Sequence, residues 1–228
     1  MTITMNSRMI GILVRKDLSL LRQPVLLYVG GGALSIAMMG LGGEAGFYAG
    51  SVLLISTLMA LSFHPAMATV VGERKDQNLA FVMSMPITAT DYTWAKLLAN
   101  LLLFFVPWAV LLAGTLGLIA ARPALPDGLM PFAVILFGAI AASAVSILFV
   151  AIVSESMQLT IAVHIACTLI FQAVMYGASH TPAIAATMHG EAVVWNWAAL
   201  AFLGIEAALA AAMFAATLWL QSRKTDFI

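Results

Sequence analysis

Charge is what this chain has least of. Only 9% of its 228 residues are Asp, Glu, Lys or Arg, against 63% hydrophobic, and its mean hydropathy is +1.04. A soluble domain of this length does not carry that composition; a chain that crosses a bilayer several times requires it. Cysteine is nearly absent: Cys167 stands alone in an apolar run, so no intramolecular disulfide can form. No basic tract interleaved with aromatics occurs, which removes nucleic acid as an expected partner. There is no Gly-Lys pair and hence no phosphate-binding loop, no His-Glu-x-x-His metal motif and no Gly-x-Ser-x-Gly nucleophile turn. An enzymatic reading therefore lacks a reactive constellation, and any work on ATP falls to another polypeptide. A cleavable leader is not expected, because Arg8, Arg15, Lys16 and Arg22 interrupt the apolar region it would need.

What is present is a succession of apolar runs. Six of them, 25–43, 47–71, 97–121, 130–153, 159–178 and 193–220, are each long enough to cross roughly 30 Å of hydrocarbon. The expected fold is an all-α polytopic membrane protein with six transmembrane helices. Ahead of them, residues 5–22 predict an interfacial helix. Arg8, Arg15 and Arg22 are seven apart and share one stripe, opposite Met9, Ile10, Leu13, Val14, Leu20 and Leu21. A basic stripe facing an apolar one suits the surface of an anionic leaflet, and Pro24 is where this helix should break. In the first hairpin, Gly42, Gly46 and Gly50 have small-xxx-small spacing but straddle the predicted turn. No internal repeat is visible.

Placing the N-terminus inside puts Arg8, Arg15, Lys16, Arg22, Arg74, Lys75, Lys96, Arg223 and Lys224 on the cytoplasmic side and only Arg122 outside. That bias predicts that both termini and the 72–96 stretch are cytoplasmic. Outside, 121–131 is a turn-rich linker with Pro123, Pro126, Asp127-Gly128 and Pro131. Thr181-Pro182 followed by Gly190 predicts a short outer helix over 182–189.

Three polar residues inside the spans are candidates for a transport pathway. Glu206 falls near the middle of the last span, where an ionised carboxylate is costly. His64, followed by the kink-forming Pro65, lies toward the inner part of span two, and His164 at similar depth in span five. Packing histidines bonded to backbone carbonyls are the plainer reading of that pair. His180, Met188, His189 and Glu191 match no compact metal-ligand spacing, so no metal site is expected.

The longest polar interruption is the stretch 72–96. Glu73, Arg74, Lys75 and Asp76 precede Asn78, a good N-cap, and then the apolar segment Leu79, Ala80, Phe81, Val82, Met83, Ser84 and Met85, stopped by Pro86. That segment is far too short to cross a bilayer. Thr88-Ala89-Thr90-Asp91 reads as a capping box opening span three, with Tyr92 and Trp94 at the interface. This arrangement resembles the permease subunit of an ABC transporter of the ABC-2 type (type V exporter architecture), across essentially the whole chain. The likeness rests on the N-terminal helix before six spans, on the charged turn, short apolar helix, Pro86 and Lys96-Leu97-Leu98, and on the outer segment between spans five and six. It departs at Gln77-Asn78, where the family usually has Gly-Thr.

The resemblance implies that 78–86 is a cytoplasmic coupling helix seated in a separate ATPase subunit. Leu79, Phe81, Val82, Met83 and Met85 would be its apolar contacts, and Glu73, Arg74, Lys75 and Asp76 would fix its register. It further implies a multi-pass protein of the bacterial cytoplasmic membrane working with two ATPase copies and a second permease protomer, identical or homologous. ATP and Mg would be bound by the ATPase, with no cofactor on this chain. The implied function is export of an apolar or amphipathic cargo (peptide, lipid or drug-like) along a pathway between protomers. The competing reading is an ion- or proton-coupled secondary transporter using Glu206, His64 and His164. It would need no coupling helix, and usually shows inverted repeats.

Overall fold

The computed structural model describes residues 6–75 and 88–223. The expected coupling helix 78–86, with Asp76, lies outside the described residues, as does Lys224. Every regular element among the described residues is helical, and six helices are long and apolar enough to cross a membrane.

The first helix, α1, spans Ser7–Leu20 and is capped by the Asn6 side chain, which accepts from the Met9 N–H. Ile10 and Leu13 are buried against Ala95, Tyr92 and Trp94, while Arg8, Arg15 and Arg22 are exposed on the other side. The chain breaks at Leu21 and not at Pro24. Proline cannot donate to the carbonyl four residues back and its ring collides with it, so the old helix must end upstream. In α2, Arg22–Leu41, Pro24 then sits in the first turn, where an N–H has no intrahelical partner anyway.

A single residue, Gly42, joins α2 to α3, Gly43–Ala66, which opens on Gly43 at φ +62. Helices α2 and α3 form a tight hairpin. A Cβ on Gly50 would lie 2.6 Å from the Ser35 carbonyl oxygen, and one on Gly42 would lie 2.6 Å from Gly46 Cα. The Gly42, Gly46, Gly50 spacing is therefore the seam of the hairpin, bending with the turn it straddles. Pro65 interrupts α3 near its end, and a π turn, Met67–Val71, carries the chain into a last α-turn, Gly72–Lys75. Such widened turns accommodate a disturbed hydrogen-bond ladder.

Helix α4, Ala89–Ala121, opens with the capping box expected from sequence: Thr88 and Asp91 exchange side-chain-to-backbone bonds of 3.1 Å in both directions. It begins eight residues before the apolar run, because the box starts the helix while hydropathy marks only where its lipid-facing part begins. At about 1.5 Å per residue its 33 residues run to roughly 50 Å, well beyond the hydrocarbon thickness.

The central post is α5, Leu129–Ser154, most of which is buried, whereas the other five spanning helices leave most of their length uncovered. Its small buried residues Ala139, Ala142, Ser143 and Ala151 let its neighbours approach closely. It is flanked by α6, Met157–His180, and α8, Trp197–Ser222. Between those two lies the short α7, Pro182–Met188, with Pro182 in its first turn and Thr181 as N-cap by backbone, its hydroxyl donating backwards to Gly177 O. Asn196 caps α8 and also donates to Ala183 O, so α7 is pinned to the start of α8. Gln221 donates to Ile152 O and Trp94 meets Phe214 edge-on. The start of α4 and the ends of α5 and α8 thus share one end of the bundle with α1. We call this the basic end and the other the far end.

Candidate functional site

Four charged side chains from three elements converge at the basic end, on either side of the 76–87 segment. Lys96, about two turns into α4, is only 1% exposed. Its ammonium lies 2.8 Å from Asp17 Oδ2 on α1 and 2.8 Å from Glu73 Oε2 in the turn that ends span two. Lys16 bonds Glu73 Oε1 and faces Asp17 Oδ1 at 3.3 Å. Two carboxylates meet two ammonium groups, so the cluster is neutral, which is what makes burial of four charges tolerable.

Local sequence explains each position. Asp17 falls on the buried stripe of α1, four residues after Leu13 and seven after Ile10, so helical periodicity drives it inward. Glu73 is carried inward by the turn after the π bulge. Lys96 is on the face of α4 that covers α1, next to the buried Ala95 and Leu97.

Around the ion pairs is a second set of bonds. Tyr92 donates its hydroxyl to Glu73 Oε2 at 3.1 Å, and Lys96 Nζ lies 5.4 Å from the centre of its ring. Asn100 donates to the Lys96 carbonyl and to Thr69 Oγ1, both at 2.9 Å, and Thr69 donates to Pro65 O across the π turn. Asp91 accepts from the backbone N–H of Asn6 at 3.1 Å, so α1 is tied to α4 at its beginning as well as at Asp17. Burial by itself would push Glu73 upward, but the Lys96 and Lys16 ammonium groups outweigh it and hold its carboxyl below the ordinary range. For Lys16 partial burial works downward, and the bond to Glu73 with the charge of Asp17 raises it above the ordinary lysine value. Both groups are held in their charged forms.

The cluster brings together one residue expected to face a partner and others with no such expectation. Glu73, expected to set the register of an ATPase contact, is 7% exposed, and its carboxylate is engaged by two lysines of its own chain. Arg74 and Lys75 fall in the last α-turn. Leu79, Phe81, Val82, Met83, Met85 and Pro86 lie outside the described residues. Asp17, Asn100 and Thr69 escaped sequence reasoning. A carboxylate on the apolar stripe of α1 was the signal for the first; nothing in the sequence marks the other two.

The three intramembrane candidates do not form one site. His64 Nδ1 is 3.1 Å from Tyr28 Oη on α2. His164 stacks on Phe63 at 4.4 Å, and its Nδ1 has no hydrogen-bond partner among the described residues. Glu206 points into a notch at Gly138 of α5, where a Cβ would come within 2.2 Å of its Oε2, and neither carboxylate oxygen has a hydrogen-bond partner among the described residues. Comparison with protein-family models, with curated proteins and with solved structures found no match.

Proposed function

We propose that the chain is the membrane-spanning permease subunit of an ATP-driven exporter of the ABC-2 type, moved by an ATPase carried on a separate polypeptide. The observation that carries this reading is the buried ion-pair cluster. It clamps α1, the end of span two and the start of span three to one another at the two roots of the 76–87 segment. A segment rooted in a rigid joint transmits a push; one rooted in frayed ends absorbs it. Six spanning helices, the capped start of α4 and an apolar stub of seven residues between charged flanks belong to the same picture. The cargo is apolar or amphipathic, the protein resides in the bacterial cytoplasmic membrane, and a second permease protomer completes the pathway.

The second reading is a secondary transporter, favoured by one observation: Glu206 is buried within a span and has no hydrogen-bond partner among the described residues. It needs no companion ATPase. Co-purification separates the two. Wild-type protein should retain an ATPase chain through detergent extraction, and Phe81→Asp or Met83→Asp should lose it while remaining inserted. Retention of the ATPase by both variants, together with undiminished transport, overturns the coupling role of 78–86.

A further inference from the structure

One cavity has no part in the joint at the basic end. It occupies about 300 Å³ in the far half of the bundle, walled by two helical rows: Phe47 to Leu58 on α3 and Leu129 to Ile140 on α5. Each row covers eleven steps along its helix, so the cavity is a slot about 16 Å long, parallel to the helices. Its volume spread over that length leaves the width of one alkyl chain in single file.

The lining decides the chemistry. Apart from Tyr48, the only side-chain polar atoms along it are the hydroxyls of Ser51 and Thr115, and both are engaged by backbone carbonyls, Phe47 O at 2.7 Å and Leu111 O at 2.8 Å. Water finds no partners there, and a polar solute entering would lose its hydrogen bonds. Polar groups gather at the far end only. Tyr48 is largely exposed near the start of α3. Arg122, one turn beyond the lining residue Ile119, donates to the carbonyl of Met39, itself a lining residue, at 3.4 Å. Arg122 makes no ion pair among the described residues.

We propose that this slot binds the alkyl chain of a single-chain anionic amphiphile, a fatty-acid-like molecule, with its acidic head on Arg122. A one-chain width excludes both chains of a bilayer phospholipid, and a guanidinium tied to the lining residue Met39, with no carboxylate partner among the described residues, selects a carboxylate or phosphate head. The assignment stands whether or not an ATPase drives the protein.

Photolabelling of the full chain in phosphatidylcholine vesicles tests it. A long-chain fatty acid bearing a diazirine near its tail should label peptides within 47–58 and 129–140, and excess unlabelled acid should compete. Leu54→Trp and Ala133→Phe fill the slot from opposite walls, and each should cut labelling roughly tenfold. Leu169→Trp, on the exposed face of α6, should leave it unchanged. Arg122→Gln should weaken labelling by the acid about tenfold but not by the matching alcohol. Size-exclusion profiles identify any variant that misfolds, and the variant filling the other wall then decides. Labelling spread over all lipid-facing helices and indifferent to both filling variants overturns the slot. Equal labelling by acid and alcohol overturns the head-group assignment, and labelling only by a diazirine phosphatidylglycerol overturns the single chain.

Discussion

Asp17 and Lys96 are almost completely enclosed, 0% and 1% exposed, and each is the other's charge partner. Removing one member of such a pair leaves an uncompensated charge and costs about 3–5 kcal/mol, whereas replacing both by apolar residues is often close to neutral. Lys96→Met should therefore destabilise strongly, and Asp17→Leu with Lys96→Met should recover most of the loss, as read by denaturant unfolding in micelles. Titration adds a second expectation. Glu73 is lowered on folding, so its contribution is fully present above its ordinary value of 4.5 and is lost as pH falls through the lower folded value. Lys16 is raised, so its contribution holds below 10.5 and is lost as pH rises through the higher folded value. Lys16 is nearly half exposed, so solvent screening makes that alkaline limb the shallower one. Glu73→Gln should weaken the acid limb of a thermal-stability profile and leave the alkaline limb in place.

Among the elements, the α2–α3 hairpin depends on backbone approach, which is directly testable. A methyl at Gly50 would meet the Ser35 carbonyl at 2.6 Å, while one at Gly30, on the exposed side of α2, meets nothing within 4 Å. Gly50→Ala should cost about 1–3 kcal/mol through forced separation of the helices. Gly30→Ala should be neutral or stabilising by up to about 1 kcal/mol, since it removes glycine's entropy from a helix interior. The thermal shift of the two variants measures the difference. The sequence was informative at this scale wherever one helix signals its own boundary. The Thr88–Asp91 box and Thr181-Pro182 lie where sequence chemistry puts them. It was misleading where two effects compete at one boundary: Pro24 displaces the break upstream to Leu21, and hydropathy sees α4 only from residue 97. The glycine seam was legible as a spacing, but only packing shows that the turn it straddles brings the two arms together.

At the scale of the whole molecule, six apolar runs are enough to predict a helical bundle, because backbone groups inside hydrocarbon must be satisfied within each helix. Which helix becomes the central post is not written in any one run. Helix α5 is buried because its neighbours surround it, and its small residues permit this without announcing it. The joint at the basic end was half legible. Lys96 and Glu73 stood out as charges in a polar stretch, yet their pairing with Lys16 and Asp17 spans 57 and 79 residues, beyond the reach of local pattern. Its placement gives the molecule a mechanical logic, with a rigid clamp at one end, a segment rooted in it, and a bundle gathered round α5. A photoreactive amino acid at position 81, irradiated in intact cells, tests that logic most directly. The account predicts an adduct with a nucleotide-hydrolysing protein on the cytoplasmic face, identified by its own phosphate-loop peptide, and none when the same group replaces Tyr48 at the far end. Modification of position 81 by a membrane-impermeant reagent from outside the cell, with no ATPase adduct, would contradict it.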